Sequence, residues 1–293
     1  MIEFEEIRIE NTNRCLMNCI TCPRDRMTRD KGCMTYEGLV YICEKMSSYL
    51  SSSKLRWMDL HGYGEPLLDK SLPKKIKYIK THFPNVNTRI VTTLFNAKQE
   101  TIESLLESGL TEIVISHYAS SEEMFRKIHR VSGFDKTRNS ISCLIQMNRT
   151  KTPRLRLLIE NIDFSGVLEK NEEMERRKKL DVWYKNIIKM GCDIRELTTP
   201  HNWGSAFRYK NKSSSICSVV NGYRKRVLQI TWDGNVIPCC FDYNADIVFG
   251  NIFNDNIEHI FSSATYKSFI LNHLKGRIEC YSPCKECNKC VLP

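Results

Sequence analysis

The sequence predicts an α/β protein: an open, partial (β/α)6 TIM-like barrel, followed by a small domain built from one β-hairpin and a helix. Three observations predict it. Strand-like and helix-like patterns alternate through the first 200 residues, which implies parallel strands with helices outside. Six such units are present, too few to close an eight-stranded barrel. After Trp203-Gly204 the alternation stops, and a polar stretch at 205–216 leads into a hairpin pattern and a cysteine-dense tail. A core domain is therefore expected at 1–204 and a second domain at 205–293.

The elements follow in order. Phe4 to Ile9 alternates as a strand. Thr35 to Leu50 reads as a helix with Thr35 as N-cap and Leu39, Ile42 and Met46 on one face. Trp57 to His61 is a short strand, and Ser71 to Phe83 a basic helix stopped by Pro84. Thr88 to Leu94 is β-branched and extended, and Lys98 to Ser108 is a helix closed by Gly109. Glu112 to His117 is a strand and Ser121 to Arg130 a helix. Residues 134–153 form a longer connection before the strand Leu155 to Ile162. Glu172 to Met190 is a charged helix closed by Gly191, and Asp193 to Thr198 is the last core strand. Beyond the linker, Arg226 to Thr231 and Val236 to Cys239 flank Asp233-Gly234, a tight-turn pair. Ile257 to Leu274 is helical, and Cys280 to Pro293 shows no period.

The 293 residues are 41% hydrophobic, enough for a sizeable core. No run of 18 apolar residues suggests a membrane span, and the acidic start (Glu3, Glu5, Glu6) is unlike a signal peptide. A reducing, cytoplasmic setting is expected, in which 14 cysteines read as metal ligands and not as disulfides. The net charge of +10 is either a solvated basic surface or a field for an acidic substrate or partner; no nucleic-acid recognition motif accompanies it.

Cys15, Cys19 and Cys22 form C-L-M-N-C-I-T-C just after the first strand. Three cysteines on a [4Fe–4S] cube leave one iron free for an external ligand, much as a catalytic zinc site keeps an open position. A zinc site or unrelated thiols is the other reading of the spacing. His61-Gly62-Tyr63-Gly64-Glu65-Pro66-Leu67-Leu68 follows the second strand. Glycines let a backbone edge approach a ligand, and a carboxylate beside them accepts from an ammonium group. A plain strand-to-helix turn is the other reading. Strands three and four end in Thr92-Thr93, with Asn96 beyond, and in Ser116-His117. These are either ligand contacts or strand-end caps. His117 reads equally as a substrate acid or base and as a polar loop residue. Glu160 faces into the barrel or away from it.

In the second domain Cys217 precedes the hairpin, Cys239 follows Gly234 in G-x4-C, and Cys284 and Cys287 form a CxxC. Four thiolates complete either a [4Fe–4S] cluster or a zinc tetrahedron. Cys280 or Cys290 could replace one of the four. Cys240 adjoins Cys239 and, by strand alternation, faces the opposite way. It is either a small buried hydrophobe or a reactive thiol. Cys33, Cys43, Cys143 and Cys192 read as packing residues.

The cysteine triplet and its place after strand one resemble the signature of radical S-adenosylmethionine (SAM) enzymes. In that family the free iron binds the SAM amino and carboxylate groups, and an electron from the cluster cleaves SAM to a 5′-deoxyadenosyl radical. The resemblance implies that Cys15, Cys19 and Cys22 hold this cluster. Tyr63-Gly64-Glu65-Pro66 matches the family's glycine–glutamate motif, implying a SAM-binding role for Tyr63, Gly64 and Glu65. Thr93 and Ser116 stand where relatives contact the ribose and the methionine carboxylate. Thr21 stands where the family commonly carries an aromatic residue near the adenine. His201-Asn202-Trp203 is similar to a segment of members with cysteine-rich extensions. Hairpin, helix and trailing CxxC resemble the twitch form of the SPASM domain, implying a second [4Fe–4S] cluster on Cys217, Cys239, Cys284 and Cys287.

The architecture resembles the 2-deoxy-scyllo-inosamine dehydrogenase type, with Pro238-Cys239 and Gly250-Asn251-Ile252 as further counterparts. The resemblance implies oxidation of an alcohol or amine carbon on a small polyol or amino sugar. The alternatives are an epimerase using Cys240 as hydrogen donor and a maturase of a ribosomally made peptide. A first strand starting almost at residue 1 leaves no room for a leader-binding domain, which weighs against the maturase. The expected partners are a small-molecule or peptide substrate and a one-electron donor such as flavodoxin or ferredoxin.

Overall fold

Alternating side chains on short parallel strands set the architecture. The computed structural model describes residues 4–52, 54–195, 198–203, 206–207, 216–217, 220, 227–287 and 290–291. Among these, the core strands are β1 (Glu6–Ile9), β2 (Trp57–Asp59), β3 (Asn87–Thr92), β4 (Glu112–Ile115), β5 (Arg156–Ile159) and β6 (Asp193–Ile194). Beyond them come β7 (Ile216–Cys217), β8 (Val227–Ile230), β9 (Asn235–Ile237), β10 (Gly250–Asn251) and β11 (Cys290–Val291). One sheet runs β10-β9-β8-β1-β2-β3-β4-β5-β6, and β11 pairs with β7 in a second sheet. From β8 to β6 the pairing is parallel throughout. The α/β class and the open partial barrel are borne out. The sheet also has an unexpected member, because β8 of the C-terminal hairpin pairs with β1. The boundary expected at 204/205 lies outside the described residues.

The helices are α1 (Tyr36–Lys45), α2 (Ser47–Leu50), α3 (Leu72–His82), α4 (Gln99–Glu107), α5 (Glu122–His129), α6 (Phe134–Asn148), α7 (Lys170–Lys189), α8 (Ile257–Ser262), α9 (Ala264–Leu274) and α10 (Ser282–Lys285). Thr35 caps α1 by accepting from the Gly38 N–H at 2.9 Å. The helices bury apolar stripes such as Leu39, Ile42, Ile76 and Ile79 against the outer sheet face, where Ile7, Ile9, Met58, Ile90 and Ile113 form one core with them. No helix among the described residues is long and apolar enough to cross a membrane.

Three expectations need correction. The connection at 134–153 contains helix α6. Its first two turns bury Thr137 and Ser140 where a stripe would carry apolar residues, so periodicity missed it. The helix expected at Ile257 to Leu274 breaks at Ser263, whose extended backbone ends α8 while its hydroxyl caps α9 by accepting from Tyr266 N at 3.2 Å. The tail is not patternless: it holds α10, and Cys290 lies opposite Cys217 in β11–β7.

The inner face of the barrel is charged. Strand register aligns Arg8 with Asp59, Asp59 with Arg89, Arg89 with Glu112, and Glu112 with Arg156. Signs therefore alternate across neighbouring strands. Arg89 reaches Asp59 at 2.5 Å, Glu6 at 3.2 Å and Glu112 at 3.5 Å, while Arg156 meets Glu112 at 3.1 Å. Arg8 bonds Glu6 and lies 3.6 Å from Asp59. Burial opposes every charge here. Despite it, Arg8 and Arg89 hold Glu6 below the usual carboxylate range. For Asp59 burial prevails over Arg89, and its carboxyl is pushed up.

Candidate functional site

The three N-terminal cysteines lie on the loop leaving β1. That loop docks on the last turn of α5: the N–H groups of Asn18 and Ile20 donate to the carbonyls of His129 (3.2 Å) and Ile128 (2.9 Å). A further turn closes from Cys22 N to Cys19 O at 3.0 Å. Burial pushes the thiols of Cys15, Cys19 and Cys22 upward, Cys22 to about 11. The thiols of Cys15 and Cys22 also oppose ionisation of Cys19, and Arg24 favours it in all three. Three crowded thiols ionise together only against bound positive charge, so the donor set fits an iron–sulfur cluster. Among the described residues no three His, Cys, Asp or Glu side chains converge tightly enough for one metal ion. A cubane spreads its cysteines over separate irons and does not need that convergence.

The Gly-Glu turn packs directly on the cysteine loop. Glu65 N donates to Arg14 O at 2.8 Å. A Cβ on Gly64 would sit 2.5 Å from the carbonyl oxygens of Arg14 and Thr12, so only glycine permits this approach. The close neighbour is thus the chain's own backbone. The Glu65 carboxylate accepts from Thr92 Oγ1 (2.5 Å), Thr93 N (2.9 Å), Thr93 Oγ1 (2.7 Å) and Leu67 N (3.2 Å). Burial pushes its pKa up and these donors pull it back. Among the described residues it has no ion-pair partner, so a buried carboxylate is left to meet an incoming ammonium group, as SAM provides. Glu65→Gln is expected to weaken SAM binding by roughly tenfold or more, since the lost bond is charge-assisted. Isothermal titration of the anaerobically reconstituted protein checks this; unchanged affinity would show that Glu65 holds no ammonium group.

The remaining expected residues are dispersed around this turn. Thr93 joins Glu65. Ser116 donates to Glu160 at 3.0 Å, as Tyr118 does at 2.5 Å. Glu160 therefore shares the face of Ser116, opposite the helix-packed one. His117, one residue on, points the other way. It is fully buried, accepts from Arg138 Nε at 3.1 Å and contacts Phe134 and Trp183. That corrects the acid–base option for His117, which strand parity turns into the helical layer. Tyr63 donates to the Cys240 carbonyl at 2.7 Å and packs on Trp203. Trp203 in turn donates to Thr21 O at 2.7 Å, so an aromatic ring adjoins the position where Thr21 replaces one.

In the C-terminal part, Cys239 and Cys240 lie in the turn after β9 and not in a strand, so alternation does not set their directions; their neighbours do differ. Burial raises the Cys239 thiol, and the neighbouring thiols of Cys240, Cys284 and Cys217 add to it. Cys284 is raised by burial and then by Cys217 and Cys287. Cys217, Cys239, Cys284 and Cys287 thus form one neighbourhood, a donor set suited to a second cluster. Asn202 ties it to the barrel by donating to Glu286 O. Cys280 is exposed. Cys240 turns to the inner face of the barrel, where Arg8 Nη1 donates to its sulfur at 3.0 Å.

Sequence reasoning missed the inner-face residues Arg8, Asp59, His61 and Arg89. The signal was present in β1 and β2, where Glu6, Arg8 and Glu10, then Asp59 and His61, alternate with apolar residues. Parallel strands buried on both faces are normally apolar throughout, so this alternation marks a polar interior.

Comparisons with known proteins agree with this geometry. Residues 217–288 match the model of the SPASM iron–sulfur cluster-binding domain, a span holding all four C-terminal cysteines named above. The chain is 23% identical over 287 residues, 97% of its length and 93% of the relative's, to the S-adenosyl-L-methionine-dependent 2-deoxy-scyllo-inosamine dehydrogenase of Niallia circulans. It shares its fold with crystal structures of BtrN in complex with AdoMet and 2-DOIA (TM-score 0.64, 20% identity, 98% of this chain and 94% of that one). Streptococcus suis SuiB bound to precursor peptide SuiA is another such structure (TM-score 0.65, 12% identity, 98% and 70%). The chain is a radical SAM enzyme, with [4Fe–4S] and SAM as its cofactors and a SPASM domain at its C-terminal end.

Proposed function

We propose that this enzyme is an oxidoreductase that removes hydrogen from a carbon bearing oxygen or nitrogen on a small polyol or amino sugar. One observation carries the reading. Adjacent residues face two compartments, Cys239 the C-terminal thiols and Cys240 the inner face of the barrel beside Arg8. An electron acceptor held by Cys239 would therefore back directly onto the substrate space. When bound, the N-terminal cluster with SAM supplies the 5′-deoxyadenosyl radical, and the cluster of the SPASM domain supplies an acceptor for one electron. Cys15, Cys19 and Cys22 would hold the first, Cys217, Cys239, Cys284 and Cys287 the second, and Glu65 with Thr93 the SAM ammonium group. The charged floor of Arg8, Asp59 and Arg89 suits a polar substrate with many hydroxyl or amino groups. His61 sits on the same face. Burial, then Arg8 and Arg89, disfavour protonation of its imidazole. Among the described residues its buried Nδ1 has no hydrogen-bond partner, which suits it to bond a substrate hydroxyl or amino group. The likeness to a dehydrogenase along nearly the whole chain supports oxidation.

Arg8 Nη1 donates to the Cys240 sulfur, so we read this thiol as part of the polar floor of the barrel. Cys240→Ala is therefore expected to keep turnover, within about threefold, with product made in D2O free of deuterium at the reacting carbon. Mass spectrometry of the product checks this. A dead variant that still cleaves SAM, together with a deuterated wild-type product, would make the enzyme an epimerase with Cys240 as donor.

A further inference from the structure

His129 is the last residue of α5, and it is fully buried. Its Nδ1 lies 3.2 Å from the Cys19 sulfur. The ring is fixed from both sides, stacked on Tyr118 at 17° and in contact with Phe125 at 4.5 Å between centroids. Its carbonyl accepts from Asn18 N, so backbone and side chain of one residue both engage the cysteine loop. Among the described residues Nε2, the other ring nitrogen, is buried with no partner, and the Cys19 sulfur is the one group in hydrogen-bonding reach of this imidazole.

We propose that His129 is a positioning residue for the radical-generating cluster, donating Nδ1–H to the Cys19 sulfur and making the cluster easier to reduce. This rests on the reading of Cys15, Cys19 and Cys22 as its ligands. A cluster-bound thiolate can only accept, so the shared proton belongs to the imidazole. Reduction adds negative charge to cluster and sulfurs. A donor aimed at one sulfur stabilises the reduced form more than the oxidised one, and hydrogen bonds to sulfur are among the determinants of cluster potential. The partner is 110 residues away in sequence, on the helix whose end holds the loop.

The test is an anaerobic potentiometric titration followed by electron paramagnetic resonance, reading the cluster signal that changes when SAM is added. His129→Phe and His129→Leu fill the site without a donor; His129→Gln keeps an N–H. Both donor-free variants are expected to disfavour reduction about tenfold, a shift of about 59 mV to lower potential for one electron. His129→Gln should recover most of it. In the wild type, nitrogen-labelled histidine should add a weak coupling to the same signal, a reading that needs no variant. An unchanged potential in the donor-free variants, an equal shift in His129→Gln, or no histidine coupling would each overturn the inference while leaving the ligand assignment intact. A wild-type protein with no SAM-responsive signal would overturn both.

Discussion

Changing Cys15, Cys19 and Cys22 together to alanine is expected to remove about half of the protein's iron, from about eight to about four atoms, and all of its SAM cleavage. The C-terminal thiols are a separate neighbourhood reached from β7, β9 and α10, so the second cluster should survive. Folding should survive as well. The cysteine loop is anchored by backbone bonds to α5 and through Arg14 O to the Gly-Glu turn, and none of these uses a thiol. Iron and sulfide analysis with Mössbauer spectroscopy reads the first outcome, and 5′-deoxyadenosine formation under dithionite reads the second. Full iron content in the triple variant would disprove the ligand assignment. One zinc atom and no second cluster in the native protein would disprove the C-terminal one.

The largest effect on stability is expected at Arg89. Its guanidinium lies between three almost wholly buried carboxylates, Asp59, Glu6 and Glu112, and over the Trp57 ring at 5.0 Å. Removing one partner of a buried ion pair leaves uncompensated charge and costs about 3–5 kcal/mol. Arg8 and Arg156 remain to share the carboxylates, which places Arg89→Leu near the lower end. For the anaerobic holoprotein that corresponds to a melting midpoint lower by roughly 6–12 °C. Arg89→Lys should fall between, because one ammonium cannot reach three carboxylates in a fork. An unchanged midpoint in Arg89→Leu would show that the inner ladder contributes no net stability.

Local chemistry was legible without the fold. The CxxxCxxC loop, the Gly-Glu turn and the trailing CxxC lie within short stretches of chain, so spacing alone constrains their geometry. Period-two alternation does not reach Cys239 and Cys240: β9 ends at Ile237, and the pair lies in the turn beyond it, where no strand parity applies. Parity did put His117 in the helical layer, but choosing which face was interior needed the sheet. Helix α6 stayed hidden because Thr137 and Ser140 occupy its buried stripe.

Sequence by itself determined the βα order of the core, the two cysteine sets and the turn that carries Glu65. Only the tertiary structure decided which distant groups meet: β8 beside β1, Arg8 against Cys240, Arg89 among three carboxylates, His129 against Cys19. Such contacts join residues dozens to hundreds of positions apart, and no local pattern encodes them. They exist because burying the apolar outer face under helices forces the polar inner face of every strand toward a common centre. There charges have to find partners.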